Sequence, residues 1–256
     1  MKRIKLPKPH QFVLVFGALV ALGTLASGIA PRITEWSAHS RITREPFVDI
    51  PDALYWAFYV TAATMLFVCA WLVSQRVRNY ERGARDDRRT TKGNVHRRMR
   101  DFRQGVWMQT LLRDPAAGVM HSFIYFGFLW LFIATVVLEL DHQLPDNLKF
   151  LHGGVYEGYA FAADLAGVVF AIGITWALAR RYLERPYRIR IKTKPEDLVI
   201  LVTFLAIAIT GFFTEAFRIA ELGRPHFEKW SFIGYPLSSL FDSWSVGGLS
   251  DAHRWL

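Results

Sequence analysis

The chain has 256 residues, a formal charge of +9 from 31 Lys+Arg against 22 Asp+Glu, 52% hydrophobic and 15% aromatic residues, and one cysteine, Cys69. The apolar content excludes disorder, and the cysteine count excludes a disulfide framework or a Cys-ligated iron–sulfur cluster within these residues. A soluble domain interleaves polar and apolar residues, whereas here the charges are clustered and long uncharged stretches separate them.

Those stretches set the class. Phe12–Ala30 is 19 residues without a charge, Ala53–Gln75 is 23, and Pro115–Leu138 is 24. Gly158–Ala179 is 22 residues with one charge, Asp164, and Leu198–Thr214 is 17, followed by Glu215. A bilayer core about 30 Å thick needs roughly 20 helical residues at about 1.5 Å rise each. Backbone inside hydrocarbon must bond to itself, so each run is predicted to be a helix. The first run has the basic start of a signal peptide (Lys2, Arg3, Lys5, Lys8) and small residues at Ala26-Ser27-Gly28. Its apolar part exceeds the roughly 7–15 residues of such a core, so it is read as an uncleaved span.

Between the spans, charge predicts orientation. Residues 1–10, 75–115 and 179–197 together carry 23 basic and 8 acidic groups, while the rest carries 8 and 14. Lys and Arg stay on the cytoplasmic side of a membrane. The N-terminus, 75–115 and 179–197 are therefore expected inside, and 31–52, 141–154 and 218–250 outside. The arginines from Arg76 to Arg103 resemble a phosphate-binding patch. A juxtamembrane segment that fixes topology and touches anionic membrane lipid explains them without a nucleic-acid partner, and none is expected. Ser250–Leu256 ends on Trp-Leu, which suits the entry to another span. The expectation is an all-α, polytopic transmembrane bundle with five spans plus the start of a sixth, as a fragment of a longer protein.

Of the eight histidines, His10, His39, His96 and His226 lie in polar surroundings, where a solvated ring is the default. His121 sits about two turns into the third span, and His142 lies just past its outer end. Along one helix these two are about 31 Å apart and about 60° apart around the axis, so they could face one neighbour near opposite membrane surfaces. His253 opens the predicted sixth helix on the outer side. A histidine inside a span needs a partner. For His121 that is either haem iron, through an imidazole nitrogen, or a hydrogen bond to a neighbouring helix. No Cys-x-x-Cys-His occurs, which excludes covalent haem attachment. Asp164 and Glu215 are intramembrane acids. Either serves a proton path to a quinone, or Glu215 pairs with Arg218 one turn on.

Three stretches carry a family resemblance: Leu111–Phe128, which holds Arg113-Asp114-Pro115 and His121; Asp164–Gly167 leading to Ala179–Tyr182; and Thr210–Ala220. They resemble the membrane region of heterodisulfide-reductase-related iron–sulfur oxidoreductases, which is similar to the nitrate reductase gamma subunit, a cytochrome b. Some members are electron-transfer-flavoprotein:menaquinone oxidoreductases. The resemblance covers roughly 70–256 and divides the chain into 1–52, a helix and outer loop, and 53–256, a gamma-like domain. It implies one or two haem b groups with His121 as a ligand nearer the cytoplasm, and His253 with His142 on the outer side. The spacing of His121 and His142 is wider than the paired histidines of the gamma pattern. The resemblance also implies menaquinone in the bilayer and iron–sulfur clusters in a missing or partner region. A cytoplasmic iron–sulfur protein or an electron-transfer flavoprotein would be the donor. Asp164, Glu215 and Arg218 would form the quinone or proton path, in the cell's inner membrane. The rival expectations are a haem-free anchor for a redox partner and, from a different class, a small transporter, which would want repeats and broken helices.

Overall fold

The computed structural model describes residues 8–34, 50–83, 92–109, 111–145 and 147–255. The helices are α1 Pro9–Thr34, α2 Asp52–Glu81, α3 Lys92–Val106, α4 Pro115–Gln143, α5 Gly153–Leu178, α6 Tyr187–Arg190, α7 Pro195–Glu221, α8 Gly234–Ser238 and α9 Val246–Trp255. Helix α5 continues through a wider π-type turn over Ala179–Glu184. Short 3-10 turns occupy Leu111–Arg113, His226–Trp230 and Ser239–Phe241. No strand occurs among the described residues. Helices α1, α2, α4, α5 with its continuation, and α7 are each long and apolar enough to cross a membrane. The all-α bundle with five spans is therefore what the chain forms, and α9 stands where a sixth helix was expected. Most of the segment 31–52 with His39, the basic residues of 1–7, Arg85, Arg88, Arg89 and Leu256 lie outside the described residues.

Each long helix overruns its uncharged run. Helix α2 continues past Gln75 through Arg76 and Arg78, because backbone bonding does not stop where hydrocarbon does. Large apolar side chains stand exposed along all five, among them Phe12, Leu19, Met65, Trp71, Trp130, Phe132, Ile172, Val199 and Val202. That is the reverse of a water-soluble surface and suits helices solvated by lipid.

The chain divides into two compact units. One holds α1 and α2 and the last two residues of α4. The other holds the rest of α4 and α5 to α9, with α3 divided after His96.

In the first unit α1 and α2 run antiparallel. At one end the His10 N–H donates to Glu81 Oε1 (2.7 Å), the His10 ring pairs with the same carboxylate, and Ser74 Oγ donates to the His10 carbonyl (3.0 Å). At the other end Tyr55 OH donates to the Gly28 carbonyl (2.7 Å) and the Tyr59 ring covers Gly28. His10 is thus half-buried and bonded, and not the solvated histidine expected from its polar neighbours.

In the second unit α4, α5 and α7 pack through glycine and aromatic contacts. A Cβ on Gly127 would lie 2.9 Å from the Phe170 backbone, and one on Gly173 would lie 2.9 Å from the Ile124 nitrogen. These two positions let the α4 and α5 backbones approach closely. Phe128, Phe170 and Phe204 join α4, α5 and α7, with ring centroids 6.0–6.4 Å apart. The buried Asp141 carboxylate accepts the N–H groups of Phe150 and Leu151, both at 2.8 Å, and so ties α4 to the approach of α5. At the opposite end Arg180 reaches Asp114 and Arg181 reaches Asp197, both at 2.9 Å. The start of α4, the end of α5 and the start of α7 therefore share one end of the unit.

The segment after α7 departs from expectation. Residues 218–250 read as an outer polar stretch, yet Glu228, Ser231, Gly234 and Ser238 are buried. Gly223 (φ 72°) and Arg224 (φ 55°) end α7 in left-handed conformations, and the Arg224 N–H returns to the Ile219 carbonyl at 2.9 Å. This pair reverses the chain, so that 226–241 folds back against α5 and α7.

Candidate functional site

A cavity of about 400 Å³ lies between α4, α5 and α7. Its walls come from one face of each helix: Leu131 and Thr135 of α4; Ala163, Asp164, Gly167 and Phe170 of α5; and Ile207, Ala208, Gly211, Phe212, Thr214 and Glu215 of α7. The α7 positions follow an i, i+1, i+4, i+5, i+7, i+8 spacing, which keeps them on one side of the helix. The walls are mostly apolar, and the carboxyl groups of Asp164 and Glu215 are part of them.

Asp164 is 3% exposed. Its Oδ2 accepts the Ile233 N–H (2.7 Å) and the Gly234 N–H (3.4 Å) from the returning segment. The Glu215 carboxyl group lies beside that of Asp164. Gly234 makes the approach possible, since a Cβ there would lie 2.7 Å from Glu215 Cδ. The site is therefore a largely apolar pocket with two neighbouring carboxyl groups in its wall, Asp164 being braced by two backbone N–H groups.

Arg218 lies next to this pair and is 6% exposed. Its Nη1 donates to Glu228 Oε1 (2.6 Å), and its Nη2 donates to Glu228 Oε2 (3.2 Å). Tyr156 OH donates to the same Glu228 Oε1 (2.9 Å). Glu228 and Tyr156 are 0% and 1% exposed. The acid hydrogen-bonded to Arg218 is thus Glu228, and not Glu215, the partner that the one-turn spacing had allowed as one alternative. The reason is the chain reversal, which brings a fully buried carboxylate to a guanidinium that needs a bidentate partner inside a low-dielectric region. Glu215 is left to face Asp164. Glu228, Tyr156 and Gly234 were missed by sequence reasoning. Glu228 sits in a stretch that looked solvated, and only the Gly223-Arg224 turn hinted that the chain comes back.

The histidines are placed differently. His121 is exposed on α4. His253 is half-buried in α9, and its Nδ1 lies 3.4 Å from Glu221 Oε2 at the end of α7. Ser250 Oγ donates to the other oxygen of that carboxylate. His121 and His253 stand at opposite ends of the second unit, because α4 begins where α7 begins and His253 adjoins the α7 terminus. His142 is half-buried and belongs with the first unit. Neither the carboxyl-walled cavity nor a second, apolar one of about 300 Å³ between Phe126, Gly127, Trp130 and α5 is lined by histidine. Among the described residues no group of three or more His, Cys, Asp or Glu could hold a metal ion.

Over 181 residues, 64% of its length, the chain is 30% identical to the EtfAB:quinone oxidoreductase of Syntrophomonas wolfei subsp. wolfei. Over 165 residues, 62% of its length, it is 22% identical to the probable iron–sulfur-binding oxidoreductase FadF of Bacillus subtilis. It is related to these oxidoreductases. The aligned parts make up 25% and 22% of those proteins, so the chain spans about a quarter of the length of the curated relatives it matches. No family model and no solved structure matches the chain.

Proposed function

We propose that this chain is the membrane module of a quinone-reducing oxidoreductase, and that its quinone occupies the cavity between α4, α5 and α7. The observation that carries the reading is the acid pair Asp164–Glu215 in the wall of a largely apolar cavity between three helices long and apolar enough to cross a membrane. A quinone becomes a quinol by gaining two electrons and two protons. Apolar walls suit the ring, and the carboxyl pair supplies a proton at the ring oxygen. Similarity to a protein named as a quinone oxidoreductase supports the same reading. The reading places menaquinone in the cavity and electron donation at the basic, cytoplasmic end. The donor is an iron–sulfur protein or domain, or an electron-transfer flavoprotein, acting on a multi-pass protein of the cell's inner membrane.

Haem b is the proposed relay within residues 53–256, the gamma-like region. Bound haem would pass single electrons between the donor and the quinone. His253 would be a ligand, with the Glu221 carboxylate 3.4 Å from its Nδ1 to orient the ring. His142 is proposed as a ligand as well. His121 would supply one ligand near the cytoplasmic end, with the second from outside the described residues.

The test uses the full-length oxidoreductase in membranes. A reduced-minus-oxidised spectrum with b-type bands that His121→Ala and His253→Ala remove in turn is the expected result. Asp164→Asn is expected to abolish quinone reduction while leaving those bands. Absent b-type bands would sink the haem relay, and unchanged turnover in Asp164→Asn and Glu215→Gln would sink the cavity assignment. The exposure of His121 and the lack of histidine in either cavity favour a second reading, a haem-free anchor for a redox partner. That reading expects normal assembly and electron transfer after both histidine substitutions.

A further inference from the structure

Among the described residues, α3 is the one helix longer than ten residues that is not a candidate span. It carries Lys92, Arg97, Arg98, Arg100 and Arg103 against a single acid, Asp101. Val95, Met99, Phe102 and Val106 recur at i, i+4, i+7 and i+11, so they share an arc of about 60° at 100° per residue. Val95, Met99 and Phe102 are 50%, 62% and 68% exposed among the described residues. On the same wheel Arg98 and Arg103 flank the ridge at about 70° on either side of its centre, while Arg97 and Gln104 lie opposite. Just beyond the helix the exposed Trp107 packs its ring on Phe126 of α4, centroids 6.0 Å apart. That contact holds the end of α3 beside a spanning helix, where Trp favours the membrane–water interface.

We propose that α3 is an interfacial anchor lying flat on an anionic lipid leaflet. Its Val95–Met99–Phe102–Val106 ridge sits in the acyl boundary, and Arg98 and Arg103 reach lipid phosphates. A short, largely polar helix with a narrow apolar ridge and arginines along its edges has the composition of such helices. The long aliphatic stems of the flanking arginines pack beside the ridge while their heads stay with the phosphates. Charge selects the occupant: α4, beside which α3 ends, is long and apolar enough to cross a bilayer, and a leaflet of anionic lipid complements the arginines beside the ridge. The proposal does not depend on the quinone reading.

The test places the full chain, with Cys69→Ser, in lipid nanodiscs and spin-labels single cysteines. The labelled positions are Met99→Cys and Phe102→Cys on the ridge, and Arg97→Cys and Gln104→Cys opposite. In discs containing phosphatidylglycerol, the ridge labels are expected to collide with oxygen and the opposite labels with a water-soluble nickel chelate. Changing Arg98 and Arg103 together to Gln should shift the immersed population about thirtyfold toward water, from about 1 kcal/mol per basic residue at the surface. Discs of pure phosphatidylcholine should act in the same direction. Equal nickel access at all four positions in phosphatidylglycerol discs would overturn the proposal. So would ridge protection that arises only when a soluble redox partner is added, which would make the ridge a protein-docking face. The melting temperature of the labelled proteins, compared with the Cys69→Ser parent, separates loss of anchoring from loss of fold.

Discussion

Asp164 accepts two backbone N–H groups and faces a second carboxyl group, so its structural and chemical roles can be separated by substitution. Asn retains a carbonyl oxygen for Ile233 and Gly234 but cannot exchange the proton. Asp164→Asn is expected to melt within a few degrees of the parent and to lose about 10²-fold or more in quinone turnover, the usual worth of a positioned acid or base. Asp164→Ala leaves two buried donors without an acceptor and is expected to cost about 1–3 kcal/mol in addition. Thermal unfolding and steady-state turnover of both variants check this, and equal melting points would argue against the bracing role. Gly234 acts through Glu215. A methyl group at 234 pushes the Glu215 carboxyl away, so Gly234→Ala should lower turnover while leaving the Tyr156–Arg218–Glu228 cluster in place. A restored rate in Gly234→Ala combined with Glu215→Asp, whose shorter chain recovers the space, would mark the effect as positional.

At the scale of elements, the returning segment 226–241 is held by the buried Arg218–Glu228 ion pair and Tyr156 as well as by Asp164. Glu228→Gln leaves the Arg218 charge buried without a counter-charge and is expected to destabilise the protein by about 3–5 kcal/mol. Arg218→Met with Glu228→Leu removes both charges and should recover most of that loss, as read from the melting curves. A double variant no better than the single one would show that the cluster does more than neutralise itself. The first turn of α4 offers a pH-dependent counterpart. Asp114 precedes that helix and is held below the usual carboxylate range, first by the Ala117 N–H and then by the Arg180 guanidinium. A folded value below the unfolded one means the cap contributes above the unfolded value and is lost as pH falls through the folded one. Asp114→Asn, which keeps the cap acceptor without titrating, should flatten that acid-side loss in melts between neutral pH and about pH 3.

For the whole molecule, charge distribution and topology make one argument. The basic stretches 75–115 and 179–197 supply Asp114, Arg180, Arg181 and Asp197, whose ion pairs gather the start of α4, the end of α5 and the start of α7 at one end. If that end is cytoplasmic, a cytoplasm-active reporter fused after Arg190 should be functional and one fused after Trp244 silent. The reverse pattern would invert the proposed direction of electron entry.

The spans and the all-α class were legible in the sequence because hydrocarbon imposes a length and a hydropathy that are read one residue at a time. Asp164 and Glu215 were legible as candidates because an acid inside such a run is costly unless something answers it. Their mutual contact was not legible. It depends on α5 and α7 facing each other, and on Gly234 coming down over Glu215. Glu228 was hidden for the same reason, since a polar stretch reads the same whether solvated or folded back upon buried partners. By itself the sequence determined how many helices are long and apolar enough to cross and which residues are expensive inside them, because both follow from local transfer free energies. Only the tertiary structure decided that Arg218 meets Glu228, that Asp164 lies beside Glu215, and that His253 is steered by Glu221. Those pairings join residues from different helices, and the chain pattern does not encode which faces meet.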